Sequence, residues 1–219
     1  MKMIEKIAYY LGCRDEGPNI LLAAQLCATM DAKGIQEIAE GLQDPKRQVA
    51  NDCIKVLYEI GERKPELIAD YVSDFIRLLR SRNNRLVWGA MTALARIAFL
   101  KPAEVFQNLD LIIKAYETGS VITVDQSISL FAQLCRAGKK YEQTVFKRLI
   151  KHLETCRPKQ VGQHAERVFI CVHSGNHPEF LKVLLKRKEH VSEAQKKRIE
   201  KLIKKIMEIF SIDKKSVIY

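Results

Sequence analysis

The sequence predicts an all-α chain built from repeated, stacked pairs of amphipathic helices. Three observations lead there. First, the 219-residue chain aligns with itself at a shift of 37 residues without a gap. Ala50 falls on Val87, Val124 and Val161, and Ile54 on Met91, Ile128 and Ala165. Leu57 falls on Leu94, Phe131 and Val168, and Ile60 on Ile97, Leu134 and Cys171. Second, the spacing inside each copy is helical: positions i, i+4, i+7 and i+10 lie on one helix face. An earlier set behaves the same way. Ile35, Ile38 and Leu42 recur as Val72, Phe75 and Leu79, as Leu109, Ile112 and Tyr116, and as Phe146, Leu149 and Leu153. Third, 47% of residues are hydrophobic, with only six prolines and ten glycines, so a core can form with little punctuation. A period within about 20–50 residues that contains two helices marks an α-solenoid, because one pair cannot bury its own apolar face and a stacked neighbour must cover it.

Taken in order, a divergent leading unit occupies about residues 1–30, with helices near 2–11 and 17–30. Regular 37-residue repeats follow over about 31–173, as pairs at 33–43 with 45–61, 65–80 with 83–99, 102–117 with 120–137, and 140–155 with 158–173. A capping pair at 177–189 and 191–211 closes the array, for about five or six pairs in all. Pro45, Pro65, Pro102 and Pro178 stand at helix starts, where a missing N–H costs little, and Gly61, Gly138 and Gly175 stand near helix ends. The β-branched run Val121-Ile122-Thr123-Val124 predicts a helix that begins late. Ser192 and Gln195 fit a capping box at the start of the last helix. No linker or low-complexity stretch interrupts the chain, so residues 1–219 read as a single domain.

The stretch LQDPKRQVANDCIKVLYEIG resembles the HEAT-repeat (armadillo-like) family. Asp44-Pro45 stands in the turn between paired helices, Val49 in the first turn of the second helix, and Cys53, Leu57 and Ile60 behind it. The next unit keeps Leu86, Ala90, Leu94 and Ile97 but has Asn83-Asn84 in the turn, and later units drift further, with His164 in the small core column. The resemblance covers about residues 31–173. It implies a right-handed α-α superhelix whose second helices line a concave surface, and a non-catalytic scaffold or adaptor that binds another protein or a peptide segment there. On those helices the positions opposite the core set include Gln48, Asn51, Lys55 and Glu59, then Arg85, Trp88, Thr92 and Arg96, then Ile122 and Asp125, then Lys159, Gly162, Glu166 and Ile170. Arg85 and Trp88, the sole tryptophan, are the residue types that most often anchor interfaces, and three-residue spacing puts them side by side. Asn51, Lys55, Arg96, Asp125 and Lys159 complete the expected partner-binding set. Among enzymes that the resemblance brings in, HEAT-like alkylpurine DNA glycosylases use Trp, Asp and Arg on this surface. Trp88, Asp125 and Arg85 would take those roles, but no family motif matches.

Charge points to a second kind of partner. Lys plus Arg against Asp plus Glu is 17 against 17 through Gly138 and 20 against 9 from Lys139 onward, so the whole +11 excess lies in the C-terminal third. Lys196, Lys197, Lys201, Lys204 and Lys205 surround an apolar stripe of Ile199, Leu202, Ile203 and Ile206. This pattern suits a capping helix with a polar outer face, and also an anionic partner such as nucleic acid. Catalytic and metal motifs are missing from the sequence. His164, His173 and His177 lack the His-Glu-x-x-His spacing, and no phosphate loop or nucleophile elbow occurs. No enzyme activity, metal or cofactor is expected. The six cysteines form no Cys-x-x-Cys pair and read as free buried thiols. The first residues lack a signal-peptide pattern, and no apolar run reaches the roughly 18 residues that span a bilayer. A soluble cytoplasmic protein is expected.

Overall fold

The computed structural model describes residues 2–211. Among these residues there are twelve α-helices and no strand. The chain divides into two compact units, one running to Leu130 and the other from Phe131.

In the first unit a 3-10 turn, Met3–Lys6, stands where a helix over 2–11 is expected. One such turn forms few internal bonds, so side chains from later helices hold it. Glu37 accepts the backbone N–H groups of Met3 and Ile4 at 3.0 and 3.2 Å. Asn19, fully buried, accepts the Ala8 N–H at 2.9 Å and donates to Asp52 at 2.9 Å, while Asp52 also accepts the Tyr9 N–H at 2.8 Å. Helix α1 (Gly17–Thr29) follows and ends at Met30 in the left-handed region. Helix α2 (Ala32–Glu40) is capped by Asp31, which accepts the Gly34 N–H at 2.9 Å. Helix α3 (Arg47–Arg63) begins two residues after Pro45, which lies in the turn rather than in the helix. A long 3-10 segment, Pro65–Tyr71, leads into α4 (Val72–Leu78). Asn83 caps α5 (Asn84–Ile97) by accepting the Arg85 N–H at 3.1 Å. The single helix expected over 102–117 is broken at Asn108 into α6 (Pro102–Gln107) and α7 (Leu109–Thr118). Helix α8 (Val121–Ala137) starts at Val121, so the β-branched run does not delay it. The Ser120 hydroxyl accepts the Thr123 N–H at 3.3 Å and meets the Thr123 hydroxyl at 3.1 Å, which satisfies the first turn.

Helix α3 packs between α1 and α5, and α5 also packs on α4. The α3–α5 approach is close. A Cβ on Gly89 would stand 2.7 Å from Cγ1 of Ile54, so glycine at this position sets the spacing of the two helices. The repeated apolar columns are the core. Ile38, Ile54, Leu57, Phe75, Met91, Leu94 and Ile112 are essentially inaccessible, each contributing about 1.5–3 kcal/mol by burial.

The second unit contains the end of α8 together with α9 (Lys139–Thr155), α10 (Val161–Phe169), α11 (His177–Lys188) and α12 (Glu193–Ile209). Helix α9 packs on α10 and α11, and α12 packs on α10 and α11. Buried Asn176 holds the turn before α11, donating to Glu142 at 2.9 Å and to the Cys171 carbonyl at 3.1 Å. Arg187 on α11 donates to the carbonyls of Glu154 and Cys156, at 2.8 and 2.6 Å, satisfying the open end of α9. The expected capping box at Ser192 does not form. Gln195 points across to α10 instead, where it accepts the Gly162 N–H at 3.2 Å.

Candidate functional site

The face that α3 and α5 share carries a linked set of charged and aromatic side chains. Helical spacing places Lys55, Tyr58 and Glu59 along one side of α3, and Arg85, Trp88 and Thr92 along the matching side of α5. The segment before α1 adds Glu16, because the Asn19–Asp52 contacts tie that segment to α3. The carboxylate of Glu16 bridges the two helices, meeting Lys55 Nζ at 3.1 Å and, through its other oxygen, Arg85. Lys55 also pairs with Glu59 at 2.9 Å, and Glu59 with Arg63 at 2.7 Å. Behind the charges lie the rings. Lys55 Nζ stands 4.8 Å from the Tyr58 ring centre, the Arg85 guanidinium 5.8 Å from Trp88, and the two rings are 5.7 Å apart. The Thr92 hydroxyl donates to the Trp88 carbonyl at 2.8 Å.

Electrostatics follow from this packing. Burial opposes ionisation of Glu16, but the hydrogen bond from Lys55 and the charges of Arg85 and Lys55 outweigh it, and its carboxyl is held below the usual range. Glu59 behaves alike: burial opposes its charge, and hydrogen bonds from Arg63 and Lys55 reverse the balance. Burial also works against the charge on Lys55, yet Glu59, Tyr58 and Glu16 drive its pKa upward, so the ammonium stays charged. Burial pushes the Tyr58 hydroxyl up. Beside the cluster opens a cleft of about 310 Å³ lined by Tyr9, Arg14, Glu16, Gln48, Asn51 and Arg85.

Of the residues expected to bind a partner, Lys55, Arg85 and Trp88 come together here, and Asn51 lines the adjoining cleft while accepting from the Asn83 amide at 2.7 Å. Lys55 differs from the expectation of an outward side chain. It is buried to 7% exposure, covered by Glu16 and Glu59. Arg96 lies further along α5, paired with Glu62. Asp125 is half-buried on α8. Lys159 belongs to the second unit, exposed in the 3-10 turn Pro158–Gln160 before α10. Of two other residues expected to face outward there, Gly162 is buried, whereas Glu166 is exposed and pairs with Arg198 of α12. Gln195 and Arg198 of α12 close over Gly162. Glu16 and Tyr58 are participants that sequence reasoning missed. Tyr58 lies three residues from Lys55 and was legible by helical spacing, whereas Glu16 lies outside the repeat register and carries no local signal.

The lysine patch is as patterned on α12. Lys197, Lys201, Lys204 and Lys205 are exposed and Lys196 is half-buried, while Ile199, Leu202, Ile203 and Ile206 face inward. The three histidines weighed as ligands lie apart in role. His173 pairs with Glu142 at 2.8 Å, His177 stacks on Phe210, and His164 is buried against His152. All six cysteines are free. Among the described residues, no helix is long and apolar enough to cross a membrane.

No protein-family model matches the sequence, and no curated protein matches it. Solved structures do match. A designed armadillo repeat protein in complex with the peptide (KR)4 aligns over 95% of this chain and 98% of its own, at 15% identity and a TM-score of 0.66. A computationally designed armadillo repeat protein for modular peptide recognition aligns over 90% and 95%, at 14% identity and 0.63. The fold is a right-handed α-α superhelix of the HEAT/armadillo type. An engineered protein aligns with the same solenoid over 95% of this chain and 98% of its own, at 17% identity and 0.62. Identities this low establish the fold, so the chemistry of the solenoid's face must be read from its own residues.

Proposed function

We propose that this solenoid is a non-catalytic scaffold that binds a peptide segment of a partner protein on the face of α3 and α5. Arg85 and Trp88 are the central anchors, Lys55 and Asn51 sit beside them, and Arg96 and Asp125 tune register. The observation that carries the reading is the bridging carboxylate of Glu16. A segment of chain outside the repeats already lays a carboxylate on Lys55 and Arg85, so the face suits an acidic residue next to an apolar one. Two designed proteins of the same fold, one in complex with a peptide and one made for peptide recognition, support the mode of binding. Treating residues 1–219 as a single repeat domain belongs to this proposal and is supported by the gap-free 37-residue register. A cytoplasmic location belongs to it too, supported by six free cysteines, four of them buried.

The test is selection from a displayed peptide library, followed by affinity measurement. The wild-type protein should select a motif with an acidic residue beside an aliphatic or aromatic one. Arg85→Ala with Trp88→Ala should lose it while keeping the helical circular-dichroism spectrum. Selection of no motif, or full affinity in the double variant, overturns the proposal. A second reading rests on the four exposed lysines of α12. If it holds, binding to random-sequence DNA or RNA falls steeply with salt and is abolished by Lys→Glu changes at 201, 204 and 205.

A further inference from the structure

The fourth repeat carries an anomaly in its core. In the 37-residue register His152 takes the column of Gly41, Leu78 and Ala115, and His164 takes the column of Cys53, Ala90 and Ser127. These two columns face each other. In the first repeat a Cβ on Gly41 would meet Cys53 Sγ at 2.5 Å. Small or apolar residues occupy the facing pair in three repeats except for one serine, and in the fourth both members are imidazoles. His152 is 6% exposed and His164 is fully buried, with Nε2 of the first 2.7 Å from Nδ1 of the second and ring centres 4.8 Å apart. Two imidazoles in a hydrophobic core break the local rule that the other repeats keep, and such breaks concentrate at functional positions.

A third donor completes the arrangement. Cys156 follows His152 by four residues, so both project from the same side at the end of α9. One donor atom from each of His152, Cys156 and His164 lies within 4.8 Å of the others. We propose that His152, Cys156 and His164 form a metal site for zinc, with the fourth position open toward the half-exposed Cys156 side. Two imidazole nitrogens and one thiolate are a borderline-soft donor set of the kind that tetrahedral zinc takes. With Zn–N bonds of about 2.0–2.1 Å, tetrahedral nitrogens stand about 3.3 Å apart. The imidazoles must therefore part by about 0.6 Å, a shift that modest side-chain rotation supplies. On binding, the Cys156 proton leaves to solvent, and the proton shared between the rings moves to a ring nitrogen that faces away from the metal.

Arg187 bears on the site from α11. Its guanidinium donates to the carbonyls of Glu154 and Cys156, which fixes the chain at the cysteine, while burial pushes the Cys156 thiol up and the Arg187 charge offsets that only in part. That same charge opposes the cation, so the site selects a metal that draws strongly on sulfur. The trio is distinct from His164, His173 and His177, the set the sequence suggested and its spacing rejected. All three residues lie in the second unit, so this proposal stands or falls apart from peptide binding.

Full-length protein, dialysed against a chelator, is titrated with Zn²⁺ and with Co²⁺. The expected result is one equivalent of Zn²⁺ per chain with a raised Tm, and a cobalt complex that shows a thiolate charge-transfer band and the intense visible bands of tetrahedral geometry. Cys156→Ser should remove the charge-transfer band. His164→Ala, the residue the second repeat has in this column, should weaken binding by more than the roughly 10–100-fold that loss of a supporting outer group costs. Both variants should keep the wild-type circular-dichroism spectrum. Absence of a stoichiometric Zn²⁺ equivalent overturns the proposal, as does a bound equivalent that both variants retain. In either case the cluster is a hydrogen-bonded imidazole pair only.

Discussion

Glu16 decides how the α3–α5 face behaves, because one carboxylate answers two cations on different helices. The carboxyls of Glu16 and Glu59 lie below their ordinary range in the folded protein, so the unfolded chain takes up protons first as pH falls. Their contribution to stability is complete above the unfolded carboxylate value, near 4.3, and is lost as pH falls through the folded values. Glu16 is partly exposed, so solvent screening keeps its share modest. Urea denaturation between about pH 3 and 7, followed by the fluorescence of Trp88, should show stability falling on the acid side more steeply for the wild type than for Glu16→Gln. Equal slopes refute the linkage. Lys55→Ala removes a buried ammonium but leaves Glu16 with Arg85 and Glu59 with Arg63. It should cost about 1–2 kcal/mol, not the 3–5 of an orphaned buried charge, read as a lower urea midpoint at constant m.

At the scale of elements, the closeness of α3 and α5 makes their shared face one site. Gly89→Ala adds helix propensity worth about 1 kcal/mol, but its Cβ meets Ile54, and overpacking costs about 1–3 kcal/mol. The substitution should be net destabilising in chemical denaturation. Ile54→Ala, which removes the Cγ1 that the new Cβ meets, should relieve that clash in the same chain, so the double variant is less than additive; strict additivity means the helices move apart freely. Asp31 gives a cleaner test of local chemistry. Its carboxylate accepts the Gly34 N–H at the start of α2, and Asp31→Ala should lower stability by about 1 kcal/mol.

For the whole molecule, charge sorts the partners. Residues before Lys139 are neutral in sum, and the excess of cations lies beyond them. If the α3–α5 face reads a carboxylate, an acidic library peptide should bind and a (KR)4 peptide should neither bind nor compete, as measured by fluorescence anisotropy. Raising salt from 50 to 200 mM should weaken that peptide far less than it weakens nucleic acid on α12, where every phosphate contact releases counterions. Competition by (KR)4 contradicts the carboxylate reading.

The sequence by itself determined the repeat, the helix pairs and the core columns. These depend on volume and apolarity at fixed spacing, and periodic signals of that kind survive when no residue is conserved between copies. It also brought out Arg85 and Trp88, because side chains three apart on a helix must be neighbours. Only the tertiary structure decided what those residues meet. Glu16 reaches Lys55 and Arg85 through a non-repeating segment fastened by Asn19 and Asp52, and α12 covers Gly162 and pairs with Glu166 because Gln195 and Arg198 point across to α10. His152 and His164, twelve residues apart, face each other because α9 and α10 pack together. Contacts between elements depend on distance in space, and the order of residues along a chain does not encode that distance locally.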